Sequence, residues 1–418
     1  MRQHAQSAAQ LSLAANASAG VSTLRRLFLI QLLTIAAMEM SAPFWPLHLR
    51  QISSLSGPVL AGVSFLVYAG PLVMAICSSP FWGRLGDRRG HKLMLLRALL
   101  ALALTQCWIA CSDDLISIVC ARLLQGALAG YITAAQAYGS VLVGPSGRAG
   151  LLTQLQQANA LGSLLGPLLG AAVYGYSSFA QLNLLAALLC LLAALATLCC
   201  LPRLPPPAAA PLPTAPTTAA AVPAPTPLAL LLAAIFIVQS AKMTPQVFLA
   251  LHVEQVLLAA PWLAGLCYAA SALGLCLAAP LWVRRFKHAS PAAILRDVEC
   301  CCWACVLLLA WQALSHNLAL FVLCRLLWGA CLAALLPVFY SLLNHAAPTL
   351  AAGYLLGLAN SAAKTGALLG LSAGALALAY LAPAWRWWLV SAEYLLCALL
   401  IHQQRRRWLA LAAHPSLT

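Results

Sequence analysis

The sequence predicts an all-α membrane protein with twelve transmembrane helices in two pseudo-symmetric six-helix bundles. Hydrophobic residues make up 63% of the 418 residues and charged residues only 7%. The mean hydropathy of +0.90 lies above that of soluble globular domains. Apolar runs of about 20 residues, the length of a helix that crosses a bilayer, recur along the chain. Short motifs also repeat in the same order in both halves.

Twelve apolar segments are long enough to span the hydrocarbon core. The first carries Glu39 and exceeds a signal-peptide core in length, which favours an uncleaved span. The predicted spans are 24–47, 59–82, 93–111, 115–141, 151–174, 178–201, 228–251, 262–283, 293–314, 318–343, 353–379 and 385–402.

A stretch rich in Pro and Ala separates the sixth and seventh spans and is typical of an extended linker. It sets the predicted domain organisation. The domains are a disordered cytoplasmic tail 1–22, a bundle 23–201, a cytoplasmic linker 202–227, a second bundle 228–403 and a basic cytoplasmic tail 404–418.

The net charge of +15 is distributed unevenly along the chain. If the N-terminus is cytoplasmic, seventeen Lys and Arg residues lie on or near the cytoplasmic side, and only Arg50 and Arg386 lie on the external side. This positive-inside bias favours an even number of spans with both termini in the cytoplasm. The basic excess therefore indicates topology and contact with anionic lipids, and it argues against nucleic-acid binding.

Other residue patterns narrow the function classes. Most of the 16 cysteines lie inside apolar spans, where Cys packs as a small hydrophobic residue. No phosphate-binding glycine loop, metal-ligand set or nucleophile with a base stands out. The sequence thus favours a protein that is not an enzyme, holds no cofactor or metal, and is monomeric.

Three short motifs recur at an offset near 200. They are Ser79-Pro80-Phe81-Trp82 with Ala279-Pro280-Leu281-Trp282, Arg122 to Ala127 with Arg325 to Ala330, and Gly162-x-x-x-Gly166 with Gly366-x-x-x-Gly370. Such a parallel repeat of six spans is one way in which transporters are built, with the substrate site between the repeats.

A charge-dense run, Gly83-Arg84-Leu85-Gly86-Asp87-Arg88-Arg89-Gly90-His91-Lys92, lies between the second and third spans. We interpret it as a cytoplasmic loop whose glycines allow a tight turn. The run resembles the loop signature of the major facilitator superfamily, from which only His91 departs. That resemblance implies a gating role, in which Asp87 joins a charge network that holds the outward-facing state; the alternative is an ordinary basic loop. The gating residues would be Gly83, Gly86, Asp87, Arg88, Gly90 and Lys92.

Arg122 in the fourth span resembles the arginine that this superfamily links to proton coupling. A charge at membrane depth is costly and is usually functional. The alternative is an Arg that extends to the interface. Its repeat counterpart, Arg325, is interpreted as structural.

Gly162, Gly166, Pro167 and Gly170 resemble the antiporter motif of exporters in the superfamily, although Ala171 replaces its last glycine. Small residues allow close helix contact, and Pro167 permits a bend. A generic packing face is the alternative. The motif favours export and adds these four residues to the conformational set.

Lone charges inside the spans define a predicted cavity. Glu39 and Lys242 are interpreted as repeat equivalents that face each other, with Asn360 and Lys364 nearby. Glu39 is the predicted proton carrier together with Arg122; a static ion pair is the alternative. The net positive balance favours anionic cargo. The remaining acids of the second half, Glu254, Asp297, Glu299 and Glu393, are expected near span ends.

The resemblance extends to the bacterial multidrug exporters of the MdtG type, of the drug:proton antiporter branch. It rests on Ser79-Pro80-Phe81-Trp82-Gly83, Lys92-Leu93-Met94-Leu95-Leu96-Arg97 and Ala334-Leu335-Leu336-Pro337. It implies a proton-driven exporter of small organic molecules in a bacterial inner membrane, with protons, substrate and lipids as partners. A dedicated exporter of a carboxylate siderophore is the main alternative. An importer of sugars or organic acids and a membrane sensor without transport are also considered.

Overall fold

The computed structural model describes residues 22–53, 57–128, 130–204, 228–287, 289–346 and 352–413, and within these ranges it contains helices and no strand. The predicted linker and most of the N-terminal tail lie outside the described residues. The helices are α1 (22–40), α2 (Trp45–Ser53), α3 (Gly57–Arg89), α4 (His91–Ala110), α5 (Leu115–Leu128), α6 (Tyr131–Tyr174), α7 (Phe179–Cys200), α8 (Leu228–Met243), α9 (Leu249–Gln255), α10 (Leu263–Lys287), α11 (Pro291–Leu314), α12 (Leu318–Ala346), α13 (Ala352–Tyr380) and α14 (Pro383–Ala413).

Helices cover most of each of the twelve predicted spans, and the fourth is interrupted at Gly130, with φ 91°, between α5 and α6. Ten helical stretches of the described residues are long and apolar enough to cross a membrane. The fifth and ninth predicted spans are also helical and lie within α6 and α11. Gly144, with φ 68° and ψ −175°, breaks the helical geometry of α6. This break lies between the fourth and fifth predicted spans. The predicted fold class is therefore confirmed.

Local sequence signals fix several helix ends. Ser178 caps α7 because its Oγ accepts a hydrogen bond from the Gln181 backbone N–H at 3.2 Å, while the Gln181 side chain accepts one from the Ser178 N–H at 3.1 Å. This reciprocal capping box satisfies two free N–H groups. Ser290 caps α11 in the same sense, by accepting from the Ala293 N–H at 3.3 Å.

The first span of each half is broken. A 3₁₀ turn, Ala42–Phe44, interrupts the first span between α1 and α2. Another 3₁₀ turn, Thr244–Val247, interrupts the seventh between α8 and α9. Each turn contains a proline, Pro43 or Pro245, which lacks the backbone N–H that a continuous helix requires.

The chain forms two compact units. The first comprises Met1–Ala42 and Gly70–Pro211, and the second comprises Pro43–Ala69 and Leu212–Thr418. The core of the first contains buried Leu95, Leu99 and Tyr138. In the second, Trp387 of α14 packs edge-on against Phe248 and Phe321 at centroid distances of 5.2 and 5.3 Å. The segment Pro43–Ala69 thus belongs with the second half, although it precedes most of the first.

Candidate functional site

The internal repeat is present in the contacts as well as in the sequence. Trp82 Nε1 donates a hydrogen bond to the carbonyl of Ala127 at 2.7 Å in the first unit. Trp282 Nε1 donates to the carbonyl of Ala330 at 2.9 Å in the second. Each bond joins two of the motifs that recur in the sequence, so both halves use one packing scheme.

A glycine stripe forms the second shared contact. A methyl group at Gly166 or Gly170 would overlap the backbone of α1 at Ala36 and Met40. On α13, a methyl group at Gly370 would overlap the Ser240 carbonyl of α8. These glycines let the helix backbones touch, as small residues do in membrane helix pairs. The α6 helix continues through Pro167 to Tyr174.

This contact corrects the predicted equivalence of Glu39 and Lys242. Gly166 meets Ala36, and Gly370 meets Ser240, so both partners shift by 204 positions between the halves (370 minus 166, and 240 minus 36). Glu39 and Lys242 differ by 203. One residue corresponds to about 100° around a helix of 3.6 residues per turn. The two side chains therefore occupy similar levels but different faces of equivalent helices.

Glu39 and Lys242 nevertheless share a structural setting. Each is half-buried and lies in the last turn of its helix, immediately before the 3₁₀ break. In the first unit, a Cβ at Gly166 would lie 2.7 Å from the Glu39 Cβ, which places this acid beside the glycine stripe. Broken helices at such positions form the binding sites of many secondary transporters.

Lys364 and Asn360 lie at a different level from Lys242. On the parallel helices α8 and α13, Gly366 meets Phe236 and Gly370 meets Ser240. Lys364 therefore lies about eight residues, or about 12 Å, from Lys242 along the axis. Lys364 and Asn360 are exposed, and Tyr340 Oη donates to Asn360 Oδ1 at 3.3 Å. The structure does not gather these side chains at one depth.

Arg122 is half-buried in the first unit and belongs to a short polar chain. Its guanidinium donates to Gln125 Oε1, and Gln125 Nε2 donates to Thr105 Oγ1 of α4 at 3.2 Å. Gln125 is 2% exposed and Thr105 is also 2% exposed, so this chain lies inside the bundle. Thr105 is not among the predicted site residues, because its pairing with Gln125 depends on contact between α4 and α5.

Arg325 has a different environment. It is 3% exposed, its Nε donates to the Cys267 carbonyl at 3.3 Å, and its Nη2 donates to Ser271 Oγ at 3.3 Å. Its guanidinium also lies 4.6 Å from the centroid of the Trp328 ring. These contacts tie α12 to α10, which agrees with the structural interpretation.

The predicted loop 83–92 is wrong in its conformation. Helix α3 continues through Arg89, and α4 begins at His91. Only Gly90 breaks the helix, with φ 92°, a region that favours glycine. Gly83 is helical with open space beside it, whereas Gly86 allows a close approach, since a Cβ there would lie 3.1 Å from His91 Nδ1.

The charged residues of this segment face different partners. Lys92 Nζ donates to the carbonyls of Leu198 and Leu201 at 2.9 and 2.5 Å, so its cation lies at the C-terminal end of α7. Asp87 is exposed, and its Oδ1 lies 3.7 Å from His91 Nε2. Arg88 is exposed at the end of α3. The gating role of these residues stays a prediction.

The expectation for Glu393 is wrong. Its carboxylate lies ten residues into α14, where Ser240 Oγ donates at 2.6 Å and Thr244 Oγ1 at 3.0 Å. Both hydroxyls belong to the broken seventh span, so Glu393 ties α14 to the break. Its position on the sequence gave no sign of these partners, which lie about 150 residues away.

The other three acids have basic partners. Arg285 Nε donates to Asp297 at 2.8 Å, and Arg405 Nε lies 2.7 Å from Glu299. Arg50 pairs with Glu254. Over the part of the chain that the structure describes, no cluster of His, Cys, Asp and Glu could hold a metal ion.

The chain resembles known transporters over long stretches. It is 35% identical over 166 residues to a protein named Staphyloferrin B transporter of Staphylococcus aureus, covering 39% of this chain and 40% of that protein. It is 34% identical over 145 residues to Multidrug resistance protein MdtG of Salmonella paratyphi C, covering 34% and 36%. The matched segments thus span about two fifths or less of these relatives.

The fold agrees with that of solved transporters. The crystal structure of the nucleoside transporter NupG superposes with a TM-score of 0.72 at 11% identity, over 91% of this chain and 99% of that chain. The sequence profile of the Major Facilitator Superfamily matches residues 27–296. With its repeated six-span halves and apolar helices, this multi-pass membrane protein belongs to the major facilitator superfamily.

Proposed function

We propose that the protein is a proton-coupled secondary-active exporter of small organic molecules that works by alternating access. One observation carries the proposal: each half presents a charged residue, Glu39 or Lys242, in the last turn before the break of its first span. A helix break exposes backbone groups that a substrate or coupling ion can use. Glu39 is the group that binds and releases the proton.

The direction of transport is outward in this proposal. The antiporter-type glycines of α6 lie directly on α1 beside Glu39, so a shift of α6 would alter the surroundings of the acid. A relative named for multidrug resistance supports export. Arg122 is linked through Gln125 to Thr105 of α4. In this proposal, protonation of Glu39 affects the position of α4 through this chain of hydrogen bonds.

The cargo is anionic or carboxylate-bearing. Two cations, Lys242 and Lys364, lie inside spans of the second half, whereas Glu39 is the acid beside the break in the first. A carboxylate siderophore is the most specific candidate, and the staphyloferrin B relative supports it. Drug-like cargo is the second candidate, supported by MdtG. The membrane would be the bacterial inner membrane, with both termini cytoplasmic.

The decisive experiment measures proton-coupled flux with the purified full chain in proteoliposomes that hold a pH-sensitive dye. Citrate, a citrate-based siderophore and ethidium are tested under an imposed pH gradient. We expect the carboxylate substrates, but not ethidium, to move protons, and Glu39→Gln to abolish this signal. Glu299→Gln, which alters an acid of α11 that is paired with Arg405, serves as the matched acid control.

A second measurement tests the cargo in cells. Extracts and medium are compared by mass spectrometry between cells with wild-type protein and cells with Glu39→Gln, with and without iron. A carboxylate compound that is retained in the mutant cells only without iron supports the siderophore assignment. Flux of ethidium together with altered drug susceptibility would instead favour the multidrug alternative, and an absence of any coupled flux would reject export.

A further inference from the structure

The second unit contains a small polar cavity that the proposed transport site does not include. The cavity has a volume of 230 Å³ and is lined by Arg50, Gly57, Leu60, Leu251, Gln255, Leu378 and Arg386. All of these residues belong to the second compact unit. Arg50 and Arg386 are also the two cations that the charge pattern places on the predicted external side. Residues far apart in sequence thus bring the two exceptional arginines to one cavity.

Arg386 supplies a hydrogen-bond donor that the chain does not use. The residue is 8% exposed, its Nε donates to the Leu381 carbonyl at 3.1 Å, and its Nη2 donates to the Leu378 carbonyl at 3.4 Å. These bonds hold the guanidinium against the end of α13. Its Nη1 is buried and has no hydrogen-bond partner among the described residues. A buried charged N–H without an acceptor is unfavourable, so an external acceptor would stabilise it.

The local charge is positive. Arg50 is paired with Glu254, and the two side chains are 31% and 29% exposed, so this pair remains accessible. Arg386 therefore leaves one positive charge in excess of the acid.

The size and shape of the cavity limit the ligand. Pockets for drug-sized ligands usually measure about 300–1,000 Å³, so 230 Å³ suits a small anion or one acidic group of a larger molecule. A carboxylate matches the planar donors of arginine and can accept two parallel hydrogen bonds. Gln255 adds an amide donor at the wall, and Leu60, Leu251 and Leu378 supply an apolar lining.

We propose that Arg386 and Arg50 form a carboxylate-binding site in the second unit, separate from Glu39 and Lys242. The ligand is a small carboxylate, either free in solution or part of the cargo. A carboxylate in the cavity contacts the Arg386 side chain and competes with Glu254 for Arg50. Binding requires neither transport nor a proton gradient, so this site can be tested even if the proposed export activity is absent.

The test uses the purified full chain in detergent, with the thermal midpoint and isothermal titration as readouts. Sodium citrate, sodium acetate and sodium chloride are added at equal ionic strength. We expect saturable binding of citrate or acetate, and at least a tenfold loss of affinity in Arg386→Gln. The matched control is Arg285→Gln, which removes an arginine paired with Asp297 on the same unit and should bind as wild type does.

Arg386 also holds the end of α13, so its substitution can disturb folding. A second variant therefore tests the site with Arg386 unchanged. The double change Arg50→Gln with Glu254→Gln removes both members of the ion pair without changing the net charge. We expect it to fold and to bind carboxylate severalfold more weakly, since one of two arginines is lost. Citrate that binds while acetate does not points to the acidic group of a larger cargo, whereas both binding points to free small acids.

Three outcomes would contradict the proposed carboxylate site. The first is an absence of saturable binding to the wild-type protein. The second is unchanged affinity in a folded Arg386→Gln or in the double variant. The third is an equal effect of chloride at the same concentration, which would show a general anion site in place of one selective for carboxylate.

Discussion

The two halves of the chain repeat their packing but not their polar residues. Both carry the tryptophan-to-carbonyl bond and a glycine stripe against the first span. The equivalent arginines differ, because Arg122 joins the polar chain to Thr105 whereas Arg325 is buried beside Trp328. The two halves therefore share the helix contacts that form the scaffold, whereas the hydrogen-bond partners of their equivalent polar residues differ.

The largest expected effect tests the shared scaffold. Gly166→Leu and Gly370→Leu should both prevent folding, because each side chain would overlap the backbone of the adjoining first span. Fluorescence-detected gel filtration in detergent would show loss of the folded peak for both. The control is Gly83→Leu, a helical position with open space, which should fold normally. A folded Gly370→Leu with an unfolded Gly166→Leu would break the equivalence of the halves.

The next prediction compares the two arginines through one substitution. Arg122→Met should lower coupled transport more than tenfold, because the charge that acts on Gln125 is lost, while the protein stays folded. Arg325→Met should leave transport within about twofold but cost about 1–3 kcal/mol of stability, because hydrogen bonds from a buried charged donor to Cys267 and Ser271 are lost. Flux in proteoliposomes and thermal midpoints distinguish the two. Equal losses would assign Arg325 a transport role.

The fold was largely predictable, because apolar length and order are properties of the sequence itself. Helices cover most of each of the twelve spans, with breaks in the first, fourth and seventh, and the three repeated motifs occupy matched positions in the two halves. The 3₁₀ breaks that follow Glu39 and Lys242 in the chain were not predicted, although Pro43 and Pro245 are signals that could have located them. The segment 83–89 was misread as a loop because charge and glycine content outweighed the continuity of α3, which ends only at Gly90.

The candidate site was less predictable, because its contacts depend on residues far apart in the chain. Arg50 and Glu254 are separated by 204 positions, and neither flanking sequence identifies the partner. The one-residue error for Glu39 and Lys242 has the same origin. An offset read from short motifs varies by a few residues, while the face of a helix changes by about 100° with each residue.

A smaller effect compares acids in the two halves. Glu393→Gln should leave transport within about twofold, since its carboxylate is held by Ser240 and Thr244 and acts as a brace. We expect a stability loss of about 1–2 kcal/mol, because Ser240 and Thr244 donate to separate carboxyl oxygens and Gln replaces one of these acceptors by an NH₂ donor. Thermal unfolding and flux would be compared with Glu39→Gln. Loss of proton coupling in Glu393→Gln would place a proton carrier in the second half as well.

The smallest expected effect is a difference in stability loss between substitutions of the equivalent tryptophans, Trp82 and Trp282. Trp282→Phe should cost about 0.5–1.5 kcal/mol, the contribution of one hydrogen bond, here to Ala330. Trp82→Phe should cost about 0.5–1 kcal/mol more, because Arg97 lies 3.4 Å from the centroid of the Trp82 ring and a phenyl ring attracts a cation less strongly. Unfolding of the full chain in mixed micelles measures both, with the exposed Trp311→Phe as the neutral control. Equal losses would show that the Arg97 contact adds nothing, and that the two halves are alike in energy at this position as well as in geometry.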